Sequence, residues 1–186
     1  MPYNAPDAAN PRVQRTRDRM LAAARELLAE GGPERLTYSL LAERAGVTRQ
    51  TLYRHWPSRS ALLTDLILVG PTGGYPAPGQ DLAVVATAWL VSLRDALGDQ
   101  ARRTAVLAVT AQADADADSA HALVRLTTDR LAALNELLRP SGVQVAPDEY
   151  ALLSGPVLAR IFFERAEATD AFIASVVTQW LAGRRG

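Results

Sequence analysis

Between Arg49 and His55 the chain places six polar side chains in seven positions: Arg49, Gln50, Thr51, Tyr53, Arg54 and His55, interrupted by Leu52. An arginine fork can donate two parallel bonds to guanine O6 and N7. A glutamine amide can pair with adenine N6 and N7, and each such contact discriminates by about 1–3 kcal/mol. Arg59, shortly after, adds a planar cation suited to phosphate. The chemistry is that of nucleic-acid recognition. It requires these groups on one narrow, rigid element, because the DNA major groove, about 12 Å wide, admits a single helix.

The surrounding run, Leu40 to Leu63, reads LLAERAGVTRQTLYRHWPSRSALL and supplies such an element. Thr37 can cap a first helix on which Leu40, Leu41 and Ala45 recur at helical spacing. Gly46 ends it, since glycine alone takes a left-handed turn cheaply. Val47 fills the corner and Thr48 caps the second helix, which Leu52 and Trp56 anchor from below. This is a helix-turn-helix pattern. Ahead of it, Val13, Met20, Leu21, Ala24, Leu27 and Leu28 make one stripe over 12–30, stopped by Gly31-Gly32. Behind it, Ser58 can cap a fourth helix bearing Leu62, Leu63, Leu66, Ile67 and Val69.

The segment from Arg15 to Ile67 resembles the DNA-binding domain of the TetR family of bacterial transcription regulators. The resemblance is carried by Ala42, the Ala45-Gly46-Val47-Thr48 turn, Thr51-Leu52-Tyr53, His55 beside the aromatic Trp56, and Ser58-Arg59 followed by Leu62. It implies phosphate contacts at Thr37 and Tyr38, base-edge reading by Arg49, Gln50 and Thr51, and phosphate or thymine-methyl contact at Tyr53 and His55. Arg59 stands where the family usually has lysine, and Trp56 where phenylalanine is more usual. With Thr48 and Arg54 these residues form the expected DNA-binding set. Residue type alone leaves Arg49 and Arg54 open to being solvated charges, Tyr53 to packing on the first helix, and His55 to being a half-buried histidine.

Composition frames this reading. The 186 residues are 48% hydrophobic and contain no cysteine, which excludes disulfides and thiolate chemistry. Two histidines without cysteine make a zinc site improbable, and no metal or cofactor is expected. Asp114, Asp116 and Asp118 imitate a calcium loop, but Ser119 and Arg125 stand where its glycine and glutamate belong. No apolar run approaches the roughly 20 residues of a membrane span. The first residues lack the apolar centre of a signal peptide, so a soluble, cytoplasmic protein is expected. Every basic residue is arginine. The zero net charge splits unevenly: residues 1–70 carry ten arginines against seven acids, and 71–186 carry ten against thirteen. That basic excess is small, so non-specific DNA affinity should be weak and salt-dependent.

The expected architecture is all-α. A disordered arm (1–11) leads into the DNA-binding domain (12–70), and Arg12, Arg15 and Arg17 could reach phosphates from the arm or the first helix or simply form a solvated helix start. A Pro/Gly-rich loop (71–80) joins it to a helical bundle (81–186) for ligand binding and dimerisation. In that bundle Asp81 can cap a helix ending at Gly98. A short helix follows over 103–111. The leucines of 119–139 cover more than one face, which predicts a central helix buried on several sides. Gly155-Pro156 predicts an interruption or kink in the next helix, and Thr169 or Asp170 caps the last. For a homodimer interface the apolar wealth of the last two helices nominates Leu153, Val157, Ile161, Phe162, Ile173, Val176, Val177 and Trp180. Candidate walls for a small-molecule effector are Trp89, Leu93, Leu107, Leu123, Leu126, Thr127, Arg130 and Phe162. Their low polarity favours an apolar or amphipathic ligand. Two functions are in view: a ligand-responsive, dimeric regulator that represses from a palindromic double-stranded DNA operator, or a helical small-molecule carrier or enzyme with a similar three-helix module. No catalytic constellation supports the second.

Overall fold

The structure, a computed structural model, describes residues 11–68 and 74–184. Most of the expected N-terminal arm, Val69 and the first part of the expected loop lie outside those residues. Among the described residues there are nine α-helices and no strand. They are α1 (Pro11–Gly31), α2 (Tyr38–Ala45), α3 (Arg49–His55), α4 (Arg59–Leu68), α5 (Leu82–Gly98), α6 (Gln100–Gln112), α7 (Ala117–Leu138), α8 (Pro147–Phe162) and α9 (Asp170–Gly183).

Two compact units emerge, residues 1–69 with 99–126, and residues 70–98 with 127–186. In the first, Met20, Leu27 and Leu28 of α1 meet Leu41 of α2, Leu52 of α3 and Leu62, Leu63 and Ile67 of α4. The small residues Ala101, Ala105 and Val109 of α6 join the same core. The sequence reading places everything after residue 81 in one bundle, whereas 99–126 group with the N-terminal helices. Periodicity shows that a helix has an apolar face, but not which core that face meets. In the second unit Val85, Trp89 and Leu90 of α5 pack with Leu134 and Leu138 of α7, Leu153 and Val157 of α8, and Ile173, Val177 and Trp180 of α9.

Two expectations change. First, α7 is buried along one side rather than several: Ala122, Leu134, Leu137 and Leu138 are buried, while Val124, Arg125, Thr128, Asp129 and Glu136 are exposed. Leucines 123, 126, 134 and 137 are separated by 3, 8 and 3 residues, close to whole turns, so they draw one stripe, and the adjacent Leu137-Leu138 only widens it. Second, α8 runs unbroken through Pro156. Pro156 has no N–H for the Leu152 carbonyl, so one helical bond is lost without ending the helix.

Candidate nucleic-acid interface

The recognition unit is assembled from local signals. The Thr37 hydroxyl accepts the Leu40 N–H at 3.3 Å and starts α2. Gly46 closes it in the left-handed conformation (φ 62°). The Thr48 hydroxyl then accepts the Thr51 N–H at 3.1 Å and shares a 3.0 Å bond with the Thr51 hydroxyl. Leu52 is fully buried and fixes the inner side of α3. Arg49, Gln50, Tyr53 and Arg54 are exposed around it, and Thr51 and His55 are half-buried. Four polar chains thus project from a seven-residue helix whose opposite side is locked in a core.

Below α3 lies a buried polar joint. The indole N–H of Trp56 donates to Asp65 Oδ2 at 2.8 Å, and Arg17 donates to the same oxygen at 2.5 Å. Arg17 therefore turns inward to a buried carboxylate rather than serving a phosphate, while Arg12 and Arg15 are exposed at the start of α1. Asp65 is a functional support that the sequence reading missed; the available signal was a single acid inside the apolar run of α4, ALLTDLIL.

Three expected DNA contacts have structural duties of their own. The Tyr38 hydroxyl lies 2.7 Å from both the Trp56 and Ser58 carbonyls, so its single proton is directed to the α3–α4 turn. Burial, with a smaller contribution from Tyr53, pushes its pKa up to about 12. Tyr53 packs edge-on against Tyr38, ring centroids 4.7 Å apart, yet is 56% exposed, so packing and outward reach coexist. Arg59 is half-buried and donates to the Pro33 carbonyl, which ties α4 to the turn after α1. The His55 ring sits 5.5 Å from that of Trp56.

Residues 20–66 match the family described as bacterial regulatory proteins, tetR family. That segment is similar to the DNA-binding part of TetR-family regulators. An uncharacterized HTH-type transcriptional regulator of Bacillus subtilis, YdeS, is 35% identical over 82 residues, 41% of this chain and 41% of YdeS. The chain therefore aligns with about two fifths of that relative's length. The crystal structure of the TetR family transcription regulator SCO0332 superposes with a TM-score of 0.67 at 27% identity, covering 91% of this chain and 98% of that one. Salmonella enterica GusR gives a TM-score of 0.67 at 20% identity over 95% of this chain and 98% of its own, a likeness of fold. YdeS and SCO0332 are both described as transcription regulators.

Outside the TetR-type recognition unit, the expected sites are rearranged. Of the effector candidates, Leu107, Leu123 and Leu126 belong to the first unit and Trp89, Leu93, Thr127, Arg130 and Phe162 to the second. Leu107 and Thr127 are exposed. Trp89 is buried and forms the centre of an aromatic group: Tyr75 stacks on it at 5.5 Å and Tyr150 meets it edge-on at 6.3 Å. Of the expected interface residues, Leu153, Val157, Ile173, Val176, Val177 and Trp180 are buried inside the chain's own second core. Ile161 and Phe162 are half-buried. The outward apolar groups of this region are Leu152 (70% exposed), Leu158 and Phe163 (86%). Sequence periodicity locates apolar positions but cannot divide them between internal and external packing. Among the described residues no His, Cys, Asp or Glu cluster could hold a metal ion. Asp116, of the acidic triplet, accepts the Ser119 N–H at 3.2 Å at the start of α7. No described helix is long and apolar enough to cross a membrane.

Proposed function

We propose that this chain is a cytoplasmic, dimeric transcriptional repressor that binds a palindromic double-stranded DNA operator through α2 and α3 and is released by a small-molecule effector. The observation that carries the reading is the exposed row Arg49, Gln50, Tyr53 and Arg54 on a helix whose other side, Leu52, is locked in a core. Arg49 and Gln50 at the start of α3 read base edges. Thr37, the first turn of α2 and the exposed arginines of α1 take phosphates. A two-fold dimer matches a palindrome, since symmetry presents two reading helices one or more helical turns apart.

The dimer face is the stripe Leu152, Pro156 and Ala159 on α8, continued by Phe163 just past its end, with the exposed small residues Ala171, Ser175, Thr178 and Ala182 on α9. Such helices can approach another pair closely, and a large exposed apolar residue at each end of the α8 stripe favours coverage. The effector site is centred on Trp89 in the second unit.

The test is fluorescence anisotropy of the purified protein with DNA from upstream of its own coding region, against a scrambled duplex of equal length at two salt concentrations. Saturable binding that survives the competitor, at two chains per duplex, is the expected result. Equal affinity for both duplexes, followed by an unbiased DNA selection that yields no preferred sequence, overturns the reading.

A further inference from the structure

Around Trp89 the second unit holds polar groups that its own packing does not satisfy. Trp89 and Ser154 are 3% and 2% exposed. The Trp89 indole N–H and the Ser154 hydroxyl are both buried beside the Tyr150 phenol, and neither makes a well-formed hydrogen bond. A buried donor left without a well-formed bond costs about 1–3 kcal/mol, so two such donors beside one phenol can take a better-placed acceptor. Burial raises the Tyr150 phenol above its ordinary value, and hydrogen bonding from Ser154 and Trp89 with the charge of Arg130 works against that rise. The open side of the group is closed by Tyr75. Its ring lies nearly parallel to the indole, 9° between planes. Its hydroxyl accepts from Arg130, whose guanidinium stands 5.5 Å from the ring centre. Yet Tyr75 comes from the Pro/Gly-rich segment GYPAPG, not from a helix, and is 41% exposed.

Tyr75 therefore has the form of an occupant: a flat ring on Trp89 with an oxygen at a cation. We propose that the effector is a planar aromatic anion, a carboxylate or phenolate, that displaces Tyr75, stacks on Trp89 and places its charged oxygen on Arg130. A polar substituent on the ring reaches past the indole edge to the Trp89 N–H and Ser154 Oγ. The inference rests on the regulator reading above and sharpens its ligand from apolar or amphipathic to aromatic and anionic. Arginine suits this role because its planar fork both pairs with carboxylate and stacks on rings. The room such a ligand needs is the room that Tyr75 fills.

The experiment is calorimetric titration of the full-length protein with 4-hydroxybenzoate. Two controls each remove one property: 4-hydroxybenzamide lacks the charge and 4-hydroxycyclohexanecarboxylate lacks the aromatic ring. The acid is expected to bind and both controls to bind at least about tenfold more weakly, the amide through the loss of roughly one charge-assisted contact and the saturated acid through the loss of stacking on Trp89. Tyr75→Ala should tighten binding severalfold by removing the competing ring. Arg130→Gln should weaken it about tenfold, and Trp89→Phe, which keeps a ring but loses the N–H, should weaken it less. Helical circular dichroism verifies that each variant is folded; Tyr75→Ala, at an exposed loop position, is the variant on which the outcome turns. No saturable heat at millimolar acid with Tyr75→Ala, or equal affinity for acid and amide, overturns the site, and ordered water is then the partner of the two buried donors. Operator anisotropy run on the same samples separates the two readings. Binding of the acid with an unchanged operator complex upholds the site and removes the regulatory role. Intact operator binding without any response to the acid in calorimetry removes the site alone.

Discussion

Arg49 and Gln50 are exposed and contribute nothing to the core. Truncating either to alanine is expected to lower operator affinity by about 1–3 kcal/mol and relax preference at one or two base pairs, with the thermal midpoint unchanged. Unaltered affinity and preference in both variants would remove α3 as the reading element. Arg59→Ala behaves differently from a plain phosphate contact, because the bond to Pro33 goes with it. Stability should fall together with DNA affinity. At Asp65 the joint with Arg17 and Trp56 is internal, and Arg17→Ala leaves a buried carboxylate without its cation. A loss of about 3 kcal/mol in denaturant unfolding is expected. These residues mark the limit of what the sequence could tell. The exposed row on α3 was legible because alternation of polar groups around Leu52 already implies an inner and an outer side. Arg17, Tyr38 and Arg59 were not, since each is a polar chain whose partner lies far along the sequence, and spacing alone cannot show whether such a chain turns inward.

At the scale of elements, helix starts were legible because they are decided within four residues. Thr37, Thr48, Ser58, Asp81 and Thr169 all accept the N–H expected of a cap. Thr48→Ala should cost about 1 kcal/mol, and Gly46→Ala about 1–2 kcal/mol because the left-handed backbone penalises a Cβ. The reverse case is Arg165, which holds φ 54° in the turn between α8 and α9. Arg165→Gly relieves that strain, and a gain of about 0.5–1 kcal/mol in chemical denaturation is expected after the larger unfolded-state entropy of glycine is deducted. The outer faces of α8 and α9 were hidden from sequence reasoning, as large apolar groups occupy both sides of α8. Leu152→Glu with Phe163→Glu is expected to give folded monomer in sedimentation. Val177→Glu, by contrast, puts a charge in the second core and should unfold that unit. Monomer from Val177→Glu with native helicity, or persistent dimer from the double variant, would move the interface.

For the molecule as a whole, the sequence revealed an all-helical chain of two parts, but not that 99–126 belong with the first. Alanine-rich faces such as that of α6 fit many cores equally well, and only the complementary shape of α1 and α4 selects one. Acid stability is a whole-chain property that the ion pairs do predict. The Arg44 hydrogen bond holds Glu30 below its ordinary value, the Ser119 hydroxyl does so for Asp116, and the Ala146 N–H with Arg184 does so for Glu149. Depressed carboxylates stabilise the fold fully above their unfolded values, near about 4, and that contribution is lost as pH falls through the lower folded values. The thermal midpoint should therefore be flat from neutrality to about pH 5 and then fall. Glu30→Gln and Glu149→Gln should each make the fall shallower.

Trp56 stands at the foot of α3 with its indole N–H on the Asp65 carboxylate, and the chain holds three tryptophans in all. In optical terms this is a chromophore fixed beside the Arg17–Asp65 ion pair, so the colour of its emission follows the local electric field. With Trp89 and Trp180 changed to phenylalanine, the glow of a single indole would register each arrival of a phosphate chain at the neighbouring helix, with no dye attached.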